Sequence, residues 1–198
     1  MFGIGILKGL GITLKHLIES YWEDLRWWGK RYFRPEGIAR RRSKDVRGIF
    51  TIQYPEEKLP VPEAFRMIPF LVYSEGEGGA RKLRCTACGT CARVCPAQCI
   101  WIVRAKDANT GKPVAAPAEF AVDIDLCMNC GYCAEYCPFD AIRMDREYEL
   151  ASRNRAGHLY NLERLQKPES YHAAIHPAAF AREPAQRALR QARRTGDM

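Results

Sequence analysis

The N-terminal hydrophobic pattern has the period of one helical face. Apolar residues recur at steps of three or four, at Leu7, Leu10, Leu14, Leu17, Tyr21, Leu25 and Trp28. This spacing predicts an amphipathic helix over residues 5–28, because residues three and four apart share a face. Charged residues such as Lys8, Lys15 and Glu19 leave no run of about 20 apolar residues that could span a bilayer. The helix suits either the plane of a membrane interface or the surface of another protein, and the pattern alone supports both.

Prolines and short apolar runs divide the rest of the chain. Four prolines within residues 52–69 exclude a regular helix there and predict an extended strap. Residues 100–104 and 119–125 predict two strands of a hairpin, joined by the turn-rich segment DANTGKP. We expect residues 148–165 to be helical or irregular. The Pro-, Ala- and Arg-rich end is expected to be loose or bound to a partner.

These patterns predict an organisation in four segments. The first, 1–48, holds the N-terminal helix and a basic segment, and the second, 49–80, is the Pro-rich strap. The third, 81–147, contains the cysteine-rich domain with the hairpin, and the fourth, 148–198, is a C-terminal extension for partner binding. Only the third segment is long enough and cysteine-rich enough to form the compact centre of the protein.

Charge is distributed unevenly over these segments. The net charge of +8 arises from +6 in residues 1–48, −3 in 49–150 and +5 in 151–198. Basic ends could bind anionic lipid, acidic partner subunits or, less favourably, nucleic acid. The basic run of Arg40, Arg41, Arg42, Lys44 and Arg47 is interpreted as a solvated segment, with lipid headgroups or an acidic partner as the more specific alternative.

Eight of the nine cysteines fall in two runs that repeat each other. CTACGTCARVCPAQCI (85–100) and CMNCGYCAEYCPFDAI (127–142) are related by a constant offset of 42 residues, and both contain C-x2-C-x2-C-x3-C-P. In this pattern three closely spaced thiolates bind one [4Fe-4S] cluster, while the fourth cysteine binds the other cluster. The sequence therefore predicts two [4Fe-4S] clusters, one held by Cys85, Cys88, Cys91 and Cys137, and one by Cys127, Cys130, Cys133 and Cys95.

This constellation predicts an α+β fold with a two-cluster bacterial ferredoxin-like core, an N-terminal amphipathic helix and extended arms. Small glycines in each run, Gly89 and Gly131, would let backbone approach the inorganic sulfurs. Five apolar residues next to the runs are expected to exclude water, namely Ile100, Ile102, Val122, Ile124 and Ile142. Because each half supplies a ligand to the other cluster, we expect the domain to require its clusters for folding.

Other roles for the cysteines and histidines are less consistent with the spacing. Two zinc sites or disulfides are alternatives, but neither explains the third cysteine of each run or the proline after the fourth. Cys99 aligns with Ala141 in the repeat, which favours a small buried residue over a ligand. The four histidines, His16, His158, His172 and His176, have no spacing typical of a site and are expected to be surface or capping residues. No catalytic residue is predicted.

Several segments outside the cysteine runs resemble one protein family. They are GLGITLKHL (9–17), IQYPEEKLPVPEAFR (52–66), AVDID (121–125) and REYELASRN (146–154). With the cysteine runs, they resemble subunit I of bacterial respiratory complex I, the proton-translocating NADH:quinone oxidoreductase, and of related photosynthetic enzymes. Residues 27–37 and the end from Pro177 onward depart from the family pattern.

The resemblance implies a function and a location. It implies that the two clusters relay electrons toward a terminal cluster and quinone in neighbouring subunits, as a peripheral subunit on the cytoplasmic side of the inner membrane. The partners would be other peripheral-arm and membrane-arm subunits, including those of the quinone site, with residues 5–28 along the membrane arm. It implies neither nucleic acid nor a small-molecule substrate bound by this chain alone.

Two rival functions share parts of the pattern. A ferredoxin-like subunit of a membrane-bound hydrogenase or formate hydrogenlyase would contain the same eight cysteines. A basic, zinc-stapled nucleic-acid-binding or scaffold protein is a rival from another class. The N-terminal helix and the strap resemble the quinone-linked enzymes more closely.

Overall fold

A computed structural model describes residues 3–43, 46, 51–76 and 80–195. The chain divides into two compact units, Met1–Val61 and Pro62–Met198, and each is described by itself. Lys44 and Arg47 of the basic run lie outside the described residues, as do residues 77–79. None of the helices within the described ranges combines the length and apolar character needed to cross a bilayer.

The first unit begins with the predicted helix. Helix α1 covers Ile4–Trp27, and it is followed by the short helices α2 (Lys30–Phe33) and α3 (Pro35–Arg41). Helix α1 ends at Trp28, whose left-handed backbone lets its N–H donate to the carbonyl of Asp24 at 2.9 Å. All seven residues of the predicted apolar stripe are exposed in this unit. The predicted helix, residues 5–28, agrees with the observed α1 to within one residue at each end.

A buried arginine holds the rest of the first unit together. Arg41 is only 1 % exposed, so the prediction that the whole basic run is solvated was wrong at this residue. Its guanidinium donates to the Glu57 carboxylate and to the Arg31 carbonyl, and it lies 4.7 Å from the centre of the Tyr32 ring. The bond from Arg41 lowers the pKa of Glu57. Residues 51–61 thus form turns fixed by an ion pair, without helix or strand.

The second unit combines two small sheets with five α-helices among its described residues. Its strands are β1 (Pro69–Glu75), β2 (Arg81–Leu83), β3 (Ile100–Lys106), β4 (Pro113–Asp123), β5 (Ile142–Met144), β6 (Leu159–Tyr160) and β7 (Gln166–Pro168). Its helices are α4 (Thr90–Val94), α5 (Tyr132–Glu135), α6 (Leu162–Leu165), α7 (Glu169–Ile175) and α8 (Pro177–Thr195), with a 3₁₀ helix at Arg155–His158. This mixture confirms the predicted α+β class.

The two sheets each contain strands from distant parts of the sequence. Strand β1 pairs antiparallel with β2 and β5, and parallel with β7. Strands β3 and β4 form the predicted hairpin, in which Ile100 faces Val122, and β4 also pairs with β6. The apolar residues that were expected to exclude water lie in one core with Leu71 and Phe120. Each fully buried side chain of this size contributes about 1.5–3 kcal/mol to stability.

The described part of the C-terminal segment packs against the cysteine-rich domain, and residues 177–195 are helical and not loose. The alternative that this end binds a partner stays a prediction. Strand β7 aligns Leu71 with Gln166, and the next two helices follow it directly. Asp145, 2 % exposed, accepts hydrogen bonds from Lys167 and, at 2.7 Å, from the Tyr171 hydroxyl. Burial opposes ionisation of Asp145, but these two bonds outweigh it and lower its pKa.

A buried carboxylate on α8 is the main polar contact of this segment. The Glu183 side chain is 4 % exposed, and its carboxylate accepts hydrogen bonds from Arg143 at 2.6 Å, Arg187 at 2.6 Å and Arg84 at 3.3 Å. Arg143 also contacts Asp140 at 3.0 Å, in the turn that follows Cys137. Helix α8 is therefore linked through ion pairs to the end of the second cysteine run.

The expectation that the histidines are surface or capping residues was wrong for the buried His172, whereas His176 is the C-cap residue of α7. His172 is 1 % and His176 9 % exposed, and Nε2 of His176 lies 2.8 Å from the Met144 carbonyl. Burial lowers the pKa of His172 to about 4, although Glu183 opposes this. His158 is held between the Leu150 carbonyl at 2.5 Å and Asp125 at 2.6 Å, and these two acceptors raise its pKa. The histidines thus belong to the packing of the C-terminal segment.

Substitution of Glu183 tests whether this buried network holds α8. Glu183→Ala removes the carboxylate that three arginines share in a poorly hydrated site, so that Arg143 keeps only Asp140 and Arg84 keeps only Glu169. This loss should cost about 3 kcal/mol and lower the melting temperature by roughly 6 °C or more. Arg187→Ala is the matched control, because the Arg187 side chain is 42 % exposed. Removal of such an exposed partner should cost less than about 1 kcal/mol. Equal melting temperatures for the two variants would contradict the role given to Glu183.

Candidate iron-sulfur centres

The 42-residue repeat of the sequence is also a repeat of backbone conformation. Three pairs of residues, each separated by 42 positions, have left-handed φ values of 50° to 80°: Ala87 and Asn129, Gly89 and Gly131, Gln98 and Asp140. The two glycines are the residues before α4 and α5, so each short helix begins at the same point of its run. The two cysteine runs therefore have the same backbone conformation, even at the positions Ala87/Asn129 and Gln98/Asp140, where the side chains differ.

This shared path directs backbone N–H groups toward cysteine sulfurs. The N–H of Ala87 donates to Cys85, and the N–H of Asn129 donates to Cys127 at the equivalent position. The third cysteine of each run, Cys91 or Cys133, accepts a bond from the N–H that follows it. Such bonds favour the thiolate, which is the form of cysteine that binds metal. Both runs thus have the same backbone N–H interactions with their ligand sulfurs.

Four cysteines line one cavity in the second unit. Cys85, Cys88, Cys91 and Cys137 lie on its wall. The other lining residues are mainly apolar: Leu71, Ile102, Phe120, Pro138, Phe139, Ala141 and Ile142, with Thr86, Gly89 and Thr90. The structure thus brings Cys137 of the second run to the three cysteines of the first, the set predicted from the spacing.

The other four predicted ligands are also neighbours. Burial raises the pKa of Cys127, and the nearby thiols Cys95 and Cys130 add to this shift. Burial likewise raises the pKa of Cys133 to about 12, with contributions from Cys127, Cys91 and Cys130. Cys95 of the first run is therefore close to the cysteines of the second run, and Cys91 and Cys133 bring the two sets near each other.

Burial controls the protonation of most of these thiols. It raises the pKa of Cys85, and it raises the pKa of Cys91 to about 12, with help from the neighbouring thiols. Cys88 differs, because hydrogen bonds with Thr90 outweigh burial and lower its pKa. Metal binding must therefore displace protons from buried thiols, which couples ligation to proton release.

The donor set fits iron-sulfur clusters. All nine cysteines are free thiols, and the described residues contain no group of three or more potential ligands placed to hold a single metal ion. The four thiols instead line the wall of an apolar cavity, and backbone N–H groups donate to several of them. Cluster ligation by cysteine thiolates, tuned by hydrogen bonds to sulfur, uses these same elements.

Comparison with known proteins identifies the family. A model described as a 4Fe-4S dicluster domain matches residues 84–141. NADH-quinone oxidoreductase subunit I of Bdellovibrio bacteriovorus is 33 % identical over 161 residues, which cover 81 % of this chain and 77 % of that protein. Subunit I 1 of Syntrophobacter fumaroxidans is 35 % identical over 146 residues, covering 72 % of this chain and 86 % of that protein. The chain belongs to the NADH-quinone oxidoreductase subunit I family.

Some members of the subunit I family are considerably longer than the matched region. Subunit I 1 of Anaeromyxobacter dehalogenans is 38 % identical over 124 residues, which cover 60 % of this chain and 45 % of that protein. The chain spans about half the length of this relative and of the one from Symbiobacterium thermophilum, for which the share is 55 %. The resemblance of the segments outside the cysteine runs is thus confirmed at the level of the family.

An arginine that the sequence did not single out covers one of the two runs. Arg66 donates to the Cys130 carbonyl at 3.1 Å and pairs with Glu135 at 2.7 Å. A Cβ at Gly131 would lie 2.7 Å from this guanidinium, whereas a Cβ at Gly89 would meet nothing within 4 Å. The space that was expected to let the backbone approach the inorganic sulfurs is therefore open at Gly89, but the Arg66 side chain occupies it at Gly131. Arg66 lies within IQYPEEKLPVPEAFR, and that family resemblance was its only signal.

Alanine at the two glycines separates backbone strain from this contact. Both positions have left-handed φ, so each substitution costs about 1–2 kcal/mol in strain alone. Gly131→Ala must in addition displace Arg66 from the Cys130 carbonyl. We expect Gly131→Ala to retain clearly less iron and sulfide per chain than Gly89→Ala after anaerobic purification. Equal cluster contents would contradict a role of Arg66 in holding the second run.

Proposed function

We propose that this chain is an electron-transfer subunit of a proton-translocating NADH:quinone oxidoreductase. In this proposal Cys85, Cys88, Cys91 and Cys137 hold one [4Fe-4S] cluster, and Cys127, Cys130, Cys133 and Cys95 hold the other. When bound, such clusters accept and donate single electrons. The observation that carries the proposal is the cavity in which Cys137 joins the cysteines of the first run, in a chain of the subunit I family.

The described residues support an electron relay in three ways. The thiols bind and position the clusters, the apolar wall of Ile102, Phe120 and Ile142 excludes water, and backbone N–H groups stabilise sulfur charge. Cys91 contributes to the raised pKa of Cys133, which supports a short separation between one ligand of each proposed set. The two clusters would therefore be neighbours within one rigid domain, which favours transfer between them.

The N-terminal helix is proposed to lie along a membrane-arm subunit at the membrane interface. Seven large apolar side chains of its predicted stripe are exposed, including Leu10, Leu14 and Trp28. An apolar face of this length requires a cover in an aqueous environment. The proposed location is the cytoplasmic side of the inner membrane, with the quinone-site subunits among the partners. Residues 148–198 would contact further subunits through the outer surface of α8.

The rival functions have less support. The relatives that define the family carry the name of the quinone-linked enzyme, which does not favour a hydrogenase or formate hydrogenlyase subunit. A zinc-stapled nucleic-acid-binding protein lacks support from the 4Fe-4S dicluster match. Colour and metal content distinguish it directly, because two [4Fe-4S] clusters require about eight irons and eight sulfides per chain.

Purification of the intact assembly from membranes tests the proposed function. Tagged full-length chain, extracted in mild detergent, should copurify with other NADH-quinone oxidoreductase subunits and with inhibitor-sensitive quinone reduction. A variant with Leu10, Leu14 and Leu17 changed to Ser should detach from that assembly while it keeps its iron. Recovery of the wild-type chain only as a free carrier would overturn the proposal, as would hydrogen evolution by the assembly.

Single cysteine substitutions test the interleaved ligand sets. Cys137→Ala should remove the same electron paramagnetic resonance signal as Cys85→Ala, since both lie in the first set. Cys95→Ala should instead remove the signal that is lost in Cys127→Ala. The two pairs of spectra are matched controls for each other. If Cys95→Ala and Cys85→Ala affected the same signal, each run would hold its own cluster.

Removal of the clusters tests whether they are required for the fold. Anaerobic chelation of iron from the purified chain leaves buried thiols facing an apolar cavity, so we expect the sheets of residues 62–195 to lose their circular dichroism signal. Helix α1 contributes helical signal outside this unit, so near-ultraviolet signals from the second unit are the sharper readout. An unchanged near-ultraviolet spectrum after complete iron loss would show that the domain folds without clusters.

A further inference from the structure

The two halves of the repeat differ at one buried position next to the ligands. Cys99 occupies the place that Ala141 has in the other half, and the two residues are 1 % and 2 % exposed. Its burial confirms the expectation of a small buried residue. The side chains differ in one respect that matters for sulfur ligands, because cysteine carries an S–H donor and alanine does not.

The thiol of Cys99 contacts sulfurs that belong to a single predicted ligand set. Its Sγ lies 3.5 Å from Sγ of Cys95. Burial raises the pKa of Cys99, and the nearby thiols of Cys95 and Cys127, both in this set, add to the shift. At the equivalent place in the other half, Cys137 accepts a hydrogen bond from the backbone N–H of Ala141 at 3.3 Å. The predicted ligand set that contains Cys95 and Cys127 thus has a side-chain donor, whereas at the equivalent place the other set has only a backbone N–H donor.

Ligation fixes the direction of this hydrogen bond. When Cys95 binds iron it is a thiolate without a proton, so the S–H between Cys95 and Cys99 can come only from Cys99. A donor to a ligand sulfur stabilises the additional negative charge of the reduced cluster and raises its reduction potential. Because Cys99 is nearly inaccessible to water, solvent does not compete for this bond.

We propose that Cys99 is a positioning residue that donates its S–H hydrogen bond to the ligand sulfur of Cys95 and raises the reduction potential of the cluster that Cys95 and Cys127 hold. This inference rests on the proposed ligand sets. The Cys99 side chain would give the two clusters different reduction potentials, although the backbone conformation around them is repeated. Cys99 acts through its neighbours and is not itself a ligand.

A redox titration of cluster-loaded full-length chain tests this role. Cys99→Ala and Cys99→Val remove the donor, and Val also fills the space of the thiol. Cys99→Ser keeps a donor at the same place. At a fixed potential, Ala and Val should lower the ratio of reduced to oxidised cluster about tenfold for one cluster only, which is 59 mV for a one-electron couple. Ser should remain closer to the wild-type ratio.

The other cluster in the same molecule is the internal control. The shifted electron paramagnetic resonance signal should be the one that disappears in Cys127→Ala, and the signal lost in Cys85→Ala should keep its potential. If Ala, Val and Ser all titrate like wild type, or if both clusters shift together, the inference is overturned. Failure of the wild-type chain to bind about eight irons would instead reject the proposed function. If one variant loses its iron, the two that remain still compare a donor with a non-donor or with wild type.

Discussion

The approach of Cys137 to the first cysteine run is the contact on which the rest of the second unit depends. It joins segments more than 40 residues apart around one apolar cavity, and the complementary approach of Cys95 to the second run does the same in reverse. Between these contacts lies the β3–β4 hairpin, whose inner face covers the cavity through Ile102 and Phe120. Sheet, cavity and thiols therefore form one structure, and none of them is complete within one half of the repeat.

Ion pairs and hydrogen bonds of charged side chains stabilise the loops around this cavity. The turn after Cys137 contains Asp140, which contacts Arg143, and Arg143 in turn binds Glu183 of α8. Arg66 plays a similar part on the other side, where it donates to the Cys130 carbonyl. Within the second unit, ion pairs from α8 and a hydrogen bond from Arg66 thus connect neighbouring segments to the loops that carry the thiols. A small domain with few apolar residues in its loops gains rigidity in this way, because each partner would be costly to leave unpaired.

Features with local periodicity could be predicted from the sequence, and features that depend on distant partners could not. Helix α1 and the β3–β4 hairpin follow from patterns of apolar residues, and the pairing of Cys137 with the first run follows from the repeat. The burial of Arg41 depends on Glu57, and that of Glu183 depends on Arg84 and Arg143. The Ala-, Pro- and Arg-rich composition led to the prediction of a loose or partner-bound C-terminal end. Composition does not reveal that the Glu183 carboxylate is buried between arginines from other segments. His172 was likewise missed because its neighbours include Phe70 of β1 and Glu183 of α8, which are distant in sequence.

The cavity wall also has a consequence for the order of events during synthesis. Its first cysteine is residue 85, but Cys137, Phe139 and Ile142 complete the wall. While the ribosome is still making the hairpin, the first three thiols have no enclosed space between them and remain open to oxygen and to stray metal ions. Strand β7, which pairs with β1, follows more than 20 residues later. The enclosed space between the first three thiols therefore forms only after both cysteine runs have been synthesised.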